Sequence, residues 1–390
     1  MIKIALVTAT RAEYGLLSPV ITQLRKHESE ELSVELIVTG THLSDKYGST
    51  IHEIEAGGSR IDHIIEIPVE SATETDISRN QADTLVKFTQ LFVYEKYCAV
   101  VLLGDRYEIL AVAVAAGNTK TPVFHLCGGD TTEGAMDEWI RHSVTKISYL
   151  HFPTNADSER RILQLGEAPE RVYNFGSTSI DNIMNSAQMS KTEALDSIGL
   201  PNCNYALCTY HPVTMENAGV DEQILQFLKA ITHFPKIVFI VTKSNADQGG
   251  SRINEFLDRA ERKLENLHVF HSLGMQRYLS LMKYAEFVLG NSSSGIIEAP
   301  AFQVPTVNIG DRQRGRLQTA SIINCDEDAE SIIQAIHTAL GDEFRDKCRK
   351  VRSPYGEGHA AERIAEKIVE VIKSGEINLK KKFYNFYSRL

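Results

Sequence analysis

The stretch GNSSSGIIEAP concentrates more chemistry than any other part of this sequence. It follows the apolar run EFVLG, so Ser292, Ser293 and Ser294 stand where a buried strand turns into a helix. Serine hydroxyls there cap the helix, its free N–H groups form a seat for an anion, and Gly295 lets a ligand approach the backbone closely. Glu298 follows in the first helical turns, where a carboxylate can accept hydrogen bonds from a diol such as ribose. An ordinary capped helix is the competing reading of the serines. Positive charge to meet an anion stands at Arg11, in TATRAEYG just past the first apolar run, and at Arg312, Arg314 and Arg316 in NIGDRQRGR. Strand-end arginines suit a diphosphate; in the later loop any one of them can equally be solvated surface.

Carboxylates supply acid–base chemistry. Asp105 follows AVVLLG, at the C-terminal end of a predicted parallel strand, the edge at which open α/β sheets bind ligands. Asp130, Glu133, Asp137 and Glu138 come after PVFHLCGG. Two such groups brought close together raise the pKa of one and make it a usable acid or base, while a solvent-facing loop explains each taken singly. His42 in VTGTHLSDKYG and His211 after YALCTY are strand-end histidines, suited to hydrogen-bonding a sugar or phosphate or to proton transfer near neutral pH, with a satisfied structural imidazole as the alternative. His125 and His142 add no zinc spacing, and no HExxH is present. Neither GxxxxGK[ST] nor an early GxGxxG occurs, which argues against ATP hydrolysis and NAD chemistry.

These groups need elements to position them. Short β-branched runs (IKIALVT, VELIVTG, AVVLLGD, PVFHL) alternate with amphipathic or small-residue segments, among them a helix from about Leu16 to Arg25 and the stretch AVAVAAGNTKT. That alternation predicts a doubly wound parallel sheet. A second series starts near Tyr205 with YALCTYHP, KIVFIVTKS, LHVFHS, EFVLG and PTVNIG, so two Rossmann-like α/β domains with a cleft between them are expected. The boundary falls near Gly176 to Ser190, after RVYNFG read as a short strand. A helix is expected from Ala360 to Lys373, and the aromatics of KKFYNFYSRL after it can dock this tail onto a body surface.

At 390 residues the chain is long for one core, and 43% hydrophobic with 24% charged residues is an ordinary folded composition. A net charge of −10 argues against a general nucleic-acid binder. The N-terminal apolar run turns polar at Thr8, too early for a membrane span or signal peptide. The six cysteines, scattered without a CxxC pair, fit a reducing cytoplasm and no metal site.

Together, TATRAEYG, VTGTHLSDKYG, LLGDRYE, FHLCGGDTTEGAMDEWIRHS, QLGE, YHPVT, TKSNAD, GNSSSGIIEAP and NIGDRQRGR resemble, in order and along nearly the whole chain, the UDP-N-acetylglucosamine 2-epimerase family, especially its hydrolysing sialic-acid or legionaminic-acid branch. The resemblance implies a GT-B-like pair of domains: residues 1–180 for sugar and catalysis, 181–360 for UDP, and 361–390 as a helix and tail packing back on the first. It assigns Arg11, His211, Ser292, Ser293 and Glu298 to UDP and turns His42, Asp105 and Asp137 toward the sugar. One departure stands out: Cys127 occupies a position where many relatives carry a glutamate tied to proton transfer, leaving Asp130, Glu133 or Asp137 as substitutes. The implied activity eliminates UDP and hydrates a 2-acetamidoglucal to N-acetylmannosamine, with no cofactor, a UDP-sugar as the small-molecule partner and a homo-oligomer, a dimer by resemblance. A UDP-N,N'-diacetylbacillosamine 2-epimerase, a GT-B glycosyltransferase and a noncatalytic nucleotide-sugar sensor are the alternatives.

Overall fold

The runs that form the central strands are buried on both faces, which is why they read as continuous rather than alternating. The computed structural model describes residues 1–69, 73–132, 136–185, 188–212, 219–244 and 249–385. The first sheet contains β1 (Ile2–Thr8), β2 (Leu32–Thr39), β3 (His63–Ile65), β4 (Ala99–Leu103), β5 (Val123–Leu126) and β6 (Leu150–Phe152), in the order β3-β2-β1-β4-β5-β6. The second contains β7 (Tyr205–Thr209), β8 (Val238–Thr242), β9 (Leu267–Phe270), β10 (Phe287–Gly290), β11 (Thr306–Ile309) and β12 (Ile322–Cys325), in the order β12-β11-β10-β7-β8-β9. Pairing is parallel throughout; Ile4, for example, lies between Val34 and Ala99. These are the two Rossmann-like domains that the alternating pattern predicts. In each sheet the chain winds outward to one edge and then returns to wind toward the other. The reversals fall between β1 and β4 and between β7 and β10, and at such a switch point the loops part to leave a crevice at the C-terminal ends of the strands.

By contacts the chain divides into one unit of Met1–Asp130, Asp137–Asn182 and Tyr355–Leu390 and another of Thr131–Met136 and Ile183–Pro354. The first core packs Ile4, Leu6, Val34, Val101 and Phe124 against Leu17, Val20 and Leu24 of the helix Arg11–Arg25 and Ile364 and Ile368 of the helix Ala360–Ser374. The second packs Ala206, Cys208, Phe239, Phe287 and Val307 against Phe227, Ile231 and Ile336. Each of the larger side chains, fully buried, contributes roughly 1.5–3 kcal/mol.

The first unit ties down the places where the chain leaves and re-enters it. Pro19 lies inside the helix Arg11–Arg25 and has no N–H to give Gly15 O. Asn182 Nδ2 donates to that carbonyl instead (2.6 Å), and Thr178 Oγ1 donates to Leu16 O (2.7 Å). The neighbouring Asp181 accepts from the backbone N–H groups of Ala360 and Ala361 (2.9 and 2.7 Å). It thereby caps the last helix, whose own N-cap residue, His359, supplies no side-chain bond.

Several expectations need correction. RVYNFG is not a strand; Val172 makes a single parallel bridge to His151. The first helix begins at Arg11 rather than near Leu16, because Thr10 and Glu13 form a capping box. Glu298 is not in the first turns of a longer helix but at the C-cap of the short helix Ser293–Ile297. Among the described residues no helix is long and apolar enough to cross a membrane.

Candidate functional site

In the first unit, the loops at the C-terminal strand ends converge at the β1/β4 switch point. Thr10 caps the helix that Arg11 begins, and Glu13 folds back so that its Oε2 accepts from Ala9 N (2.9 Å) and Thr10 N (3.2 Å). Its other oxygen, Oε1, is buried without a hydrogen-bond partner, and a Cβ at Gly104, beyond β4, would lie 3.3 Å from it. Burial first, and then the nearby Glu108, push the Glu13 carboxyl up to about 8 despite Arg106 close by. From β2, Gly40 brings the backbone against Ala9, where a Cβ would fall 2.7 Å from Ala9 O. His42 follows, fully buried, with Nε2 3.0 Å from Thr8 Oγ1 and Nδ1 2.8 Å from Thr50 Oγ1. Desolvation drives this imidazole down to about 4, so at neutral pH it is uncharged.

Arg141, which the sequence reading did not single out, organises the acids. It lies in the helix Asp137–Ile147, almost completely buried, and its guanidinium pairs with Asp105 while Nη1 donates to Asp130 O (2.8 Å) and Glu138 Oε2 (3.2 Å). Burial would lower its pKa, but the surrounding carboxylates outweigh that and keep it charged. Asp105 is thus a carboxylate fixed at a strand end. Glu138 also meets His142 Nε2 (3.1 Å), and Asp137, half-buried, opens the same helix. Asp130 Oδ1 accepts from Ser158 (2.5 Å), Thr154 (3.1 Å) and Asn155 (3.4 Å), so this carboxylate braces its loop. Glu133 lies outside the described residues. Cys127 is half-buried with φ +63°, a left-handed backbone that disfavours a side chain. His125 sits beneath, donating from Nε2 to Gly104 O (3.1 Å) and accepting at Nδ1 from Thr145 Oγ1 (3.2 Å), and burial holds it down at about 4.

The second unit repeats the geometry at the β7/β10 switch point. Gly290 ends β10 with φ +136°, and a Cβ there would fall 2.0 Å from Thr209 O. Asn291 then bridges the crevice: its Oδ1 accepts from His211 N (2.7 Å) and its Nδ2 donates to His211 O (2.8 Å). Asn254 clamps Ser244 in the same way, at 2.9 and 3.2 Å, and Ser244 Oγ lies 3.2 Å from His211 Nδ1. Ser292 caps the short helix, accepting from Ser294 N (3.4 Å), while Ser293 and Ser294 are half-buried beside it. Gly295 lies close against β11, where a Cβ would fall 2.8 Å from Thr306 Cγ2 and force it to shift. Arg312 Nη1 and Gln313 Nε2 both donate to Asn291 O (3.1 and 2.8 Å). Desolvation, with the Glu298 carboxylate adding to it, pushes the phenol of Tyr278 up to about 12.

The structure therefore gathers Arg11, His42, Asp105, Asp130 and Asp137 at the strand ends of one sheet, and His211, Ser292, Ser293, Ser294, Gly295, Glu298 and Arg312 at those of the other. The residues that fix them, Glu13, Arg141, Asn254, Asn291 and Gln313, were not singled out. Arg141 had a readable signal, standing one helical turn after Asp137 and Glu138.

A family model described as UDP-N-acetylglucosamine 2-epimerase matches residues 24–369. The chain is 36% identical over 375 residues to the polysialic acid biosynthesis protein P7 of Escherichia coli, covering 96% of this chain and 95% of that one. It is 39% identical over 347 residues to the GDP/UDP-N,N'-diacetylbacillosamine 2-epimerase (hydrolyzing) of Campylobacter jejuni, covering 88% of each. The solved UDP-GlcNAc 2-epimerase of Neisseria meningitidis bound to UDP-GlcNAc shares the fold, with a TM-score of 0.79 at 19% identity over 95% of this chain and all of that one.

Proposed function

The chain belongs to the UDP-N-acetylglucosamine 2-epimerase family, and from that membership we propose how its residues share one reaction and which sugar they act on. It is a hydrolysing UDP-sugar 2-epimerase. We infer that the sugar is N-acetylglucosamine. A base removes the C2 proton while the C1–O bond breaks and its electron pair departs with UDP, leaving 2-acetamidoglucal. Water then adds hydroxyl at C1 and a proton at C2 on the opposite face, giving N-acetylmannosamine. Elimination and hydration are redox-neutral overall, so this route calls for no redox cofactor.

The observation that carries the division of roles is the buried, charged Arg141 holding Asp105 beside Glu138. A carboxylate held this way is a fixed charge with little freedom to reorient, suited to transition-state electrostatics. Asp137, at the start of the same helix, takes the C2 proton. His42, uncharged, contributes hydrogen bonding alone. In the second unit His211, the Ser292–Ser294 turn and Arg312 hold the diphosphate, and Glu298 accepts from the ribose diol; Arg11 adds positive charge for the departing UDP.

A second substrate, UDP-N,N'-diacetylbacillosamine, is favoured by the 39% identity to the Campylobacter enzyme of that name. Incubation of each sugar nucleotide with pure protein in deuterated water, followed by NMR of UDP and product, separates the two. Deuterium at C2 of the released sugar is expected, and Asp137→Asn should lose it together with turnover while still binding UDP. Release of UDP from neither substrate by a protein that binds UDP would overturn the proposal. Near-wild-type turnover of Asp137→Asn would move the base to another carboxylate.

A further inference from the structure

The basic-aromatic segment after the last helix has no part in the reaction as described, yet it is docked with specific bonds. Lys381 Nζ donates to the carbonyls of Lys146 (2.9 Å) and Ser148 (2.6 Å), at the C-terminal end of the helix Asp137–Ile147, and to Glu167 Oε2 (2.7 Å). A cation there meets both orphan carbonyls and the negative end of the helix dipole. Phe383, though 63% exposed, lays its ring against the body. Its ring fills the space over Gly166, where a Cβ would come within 2.4 Å of it, Lys146 Nζ lies 4.9 Å from its centroid, and Tyr384 N donates to Gly166 O (2.8 Å).

Below this contact runs a buried polar column. Glu167, 2% exposed, receives Lys146 Nζ on Oε1 (2.6 Å) and His151 Nε2 on Oε2 (3.1 Å). His151 is the register partner of His125 across β5 and β6. His125 in turn holds Gly104 O, one residue before Asp105, and Thr145, one turn beyond Arg141. The tail therefore meets the frame that sets Asp105 directly through the helix, while its other path, through Glu167 to His151, reaches His125 only as a neighbour across β5 and β6.

We propose that Lys381, with Phe383 beside it, is a positioning residue for the reaction: by closing the end of the helix that carries Asp137, Glu138 and Arg141, it fixes where Arg141 holds Asp105. The inference rests on the epimerase reading above for its kinetic consequence and on geometry alone for its structural one. Lys381→Met keeps the length of the side chain and removes the charge; Lys381→Arg restores the charge; Phe383→Leu is a milder change that leaves Lys381 in place.

In the full chain, Lys381→Met should lower kcat for UDP release about tenfold with KM within about twofold, the pattern of a transition-state effect, and Lys381→Arg should recover kcat to within about threefold of wild type. Hydrogen exchange at residues 144–148 and 104–106 should quicken in Lys381→Met, less in Phe383→Leu, and hardly in Lys381→Arg. Wild-type kcat and exchange in folded Lys381→Met overturn the proposal, as does an equal loss of kcat in the Met and Arg variants. If the wild-type protein releases UDP from no sugar nucleotide, the epimerase reading fails by itself, and the exchange comparison still decides whether the tail orders the helix.

Discussion

Burial sets the protonation state of Glu13 in the first unit. Its buried carboxyl titrates at about 8 against an ordinary 4.5, so the folded protein favours the protonated form. A group raised in this way contributes stability that is fully present below about pH 4.5 and is lost as pH rises through 8. The charges facing it are Glu108, Arg106 and Asp105. Glu13→Gln, neutral throughout, should flatten the fall in stability between pH 6.5 and 8, which in wild type is on the order of 2 kcal/mol. Urea titrations at the two pH values check this, and parallel curves for the two proteins refute it. Arg141→Lys keeps a charge but loses the fork that reaches Asp105, Asp130 O and Glu138 together, and should destabilise the fold by about 2 kcal/mol and lower kcat more than UDP affinity. A kcat equal to wild type in the folded variant would detach Arg141 from the chemistry. Asp105 and Asp137 stand out as candidates in the sequence because an acid after a strand or in an acid-rich stretch is conspicuous; the stretch read as an acidic loop in fact opens a helix at Asp137. Arg141 and Glu13 were not, since what distinguishes them is burial and convergence, which spacing does not reveal.

Among the elements, the long buried strands β1, β2, β4, β7 and β8 were legible as β-branched runs. β3, β6 and β12 were not: each has three or four residues at the edge of a sheet, too few to show a period. The opposite error at RVYNFG has the same root, since its apolar residues serve aromatic packing of Tyr173 and Phe175 on Phe152 instead of a ladder. The last helix was readable from its apolar stripe, but its cap was not, because Asp181 reaches it from 179 positions away. Asp181→Ala would leave two buried N–H groups unpaired and should cost about 2 kcal/mol, seen as a fall in Tm of roughly 4–8 °C. Asp181→Asn, with one acceptor left, should lose about half of that. An unchanged Tm in the alanine variant would show that the helix is held by its apolar face alone.

At the scale of the molecule, two sheets of the same winding each place a crevice at a reversal of strand order, and the candidate residues of each unit gather there. This was legible as two restarting series of strands. The grouping of Thr131–Met136 with the second unit was not; Arg316 Nε donates to Thr131 O (2.9 Å) across 185 positions, a contact that no local pattern announces. UDP alone should protect amides at His211 and Asn291–Gly295 from exchange, and Ser292→Ala should weaken UDP binding by about 1 kcal/mol, roughly fivefold. Calorimetry showing unchanged affinity in the folded variant would remove Ser292 from the seat.

Gly166 and Phe383 carry a consequence of a different kind. With φ +80° and the Phe383 ring where its side chain would be, position 166 takes another residue only by straining its backbone and moving the ring while the tail is docked. An alignment of relatives should then show the two positions varying together: an aromatic at 383 with glycine at 166, and, where the aromatic is lost, a position 166 freed from the ring whose backbone conformation alone still favours glycine.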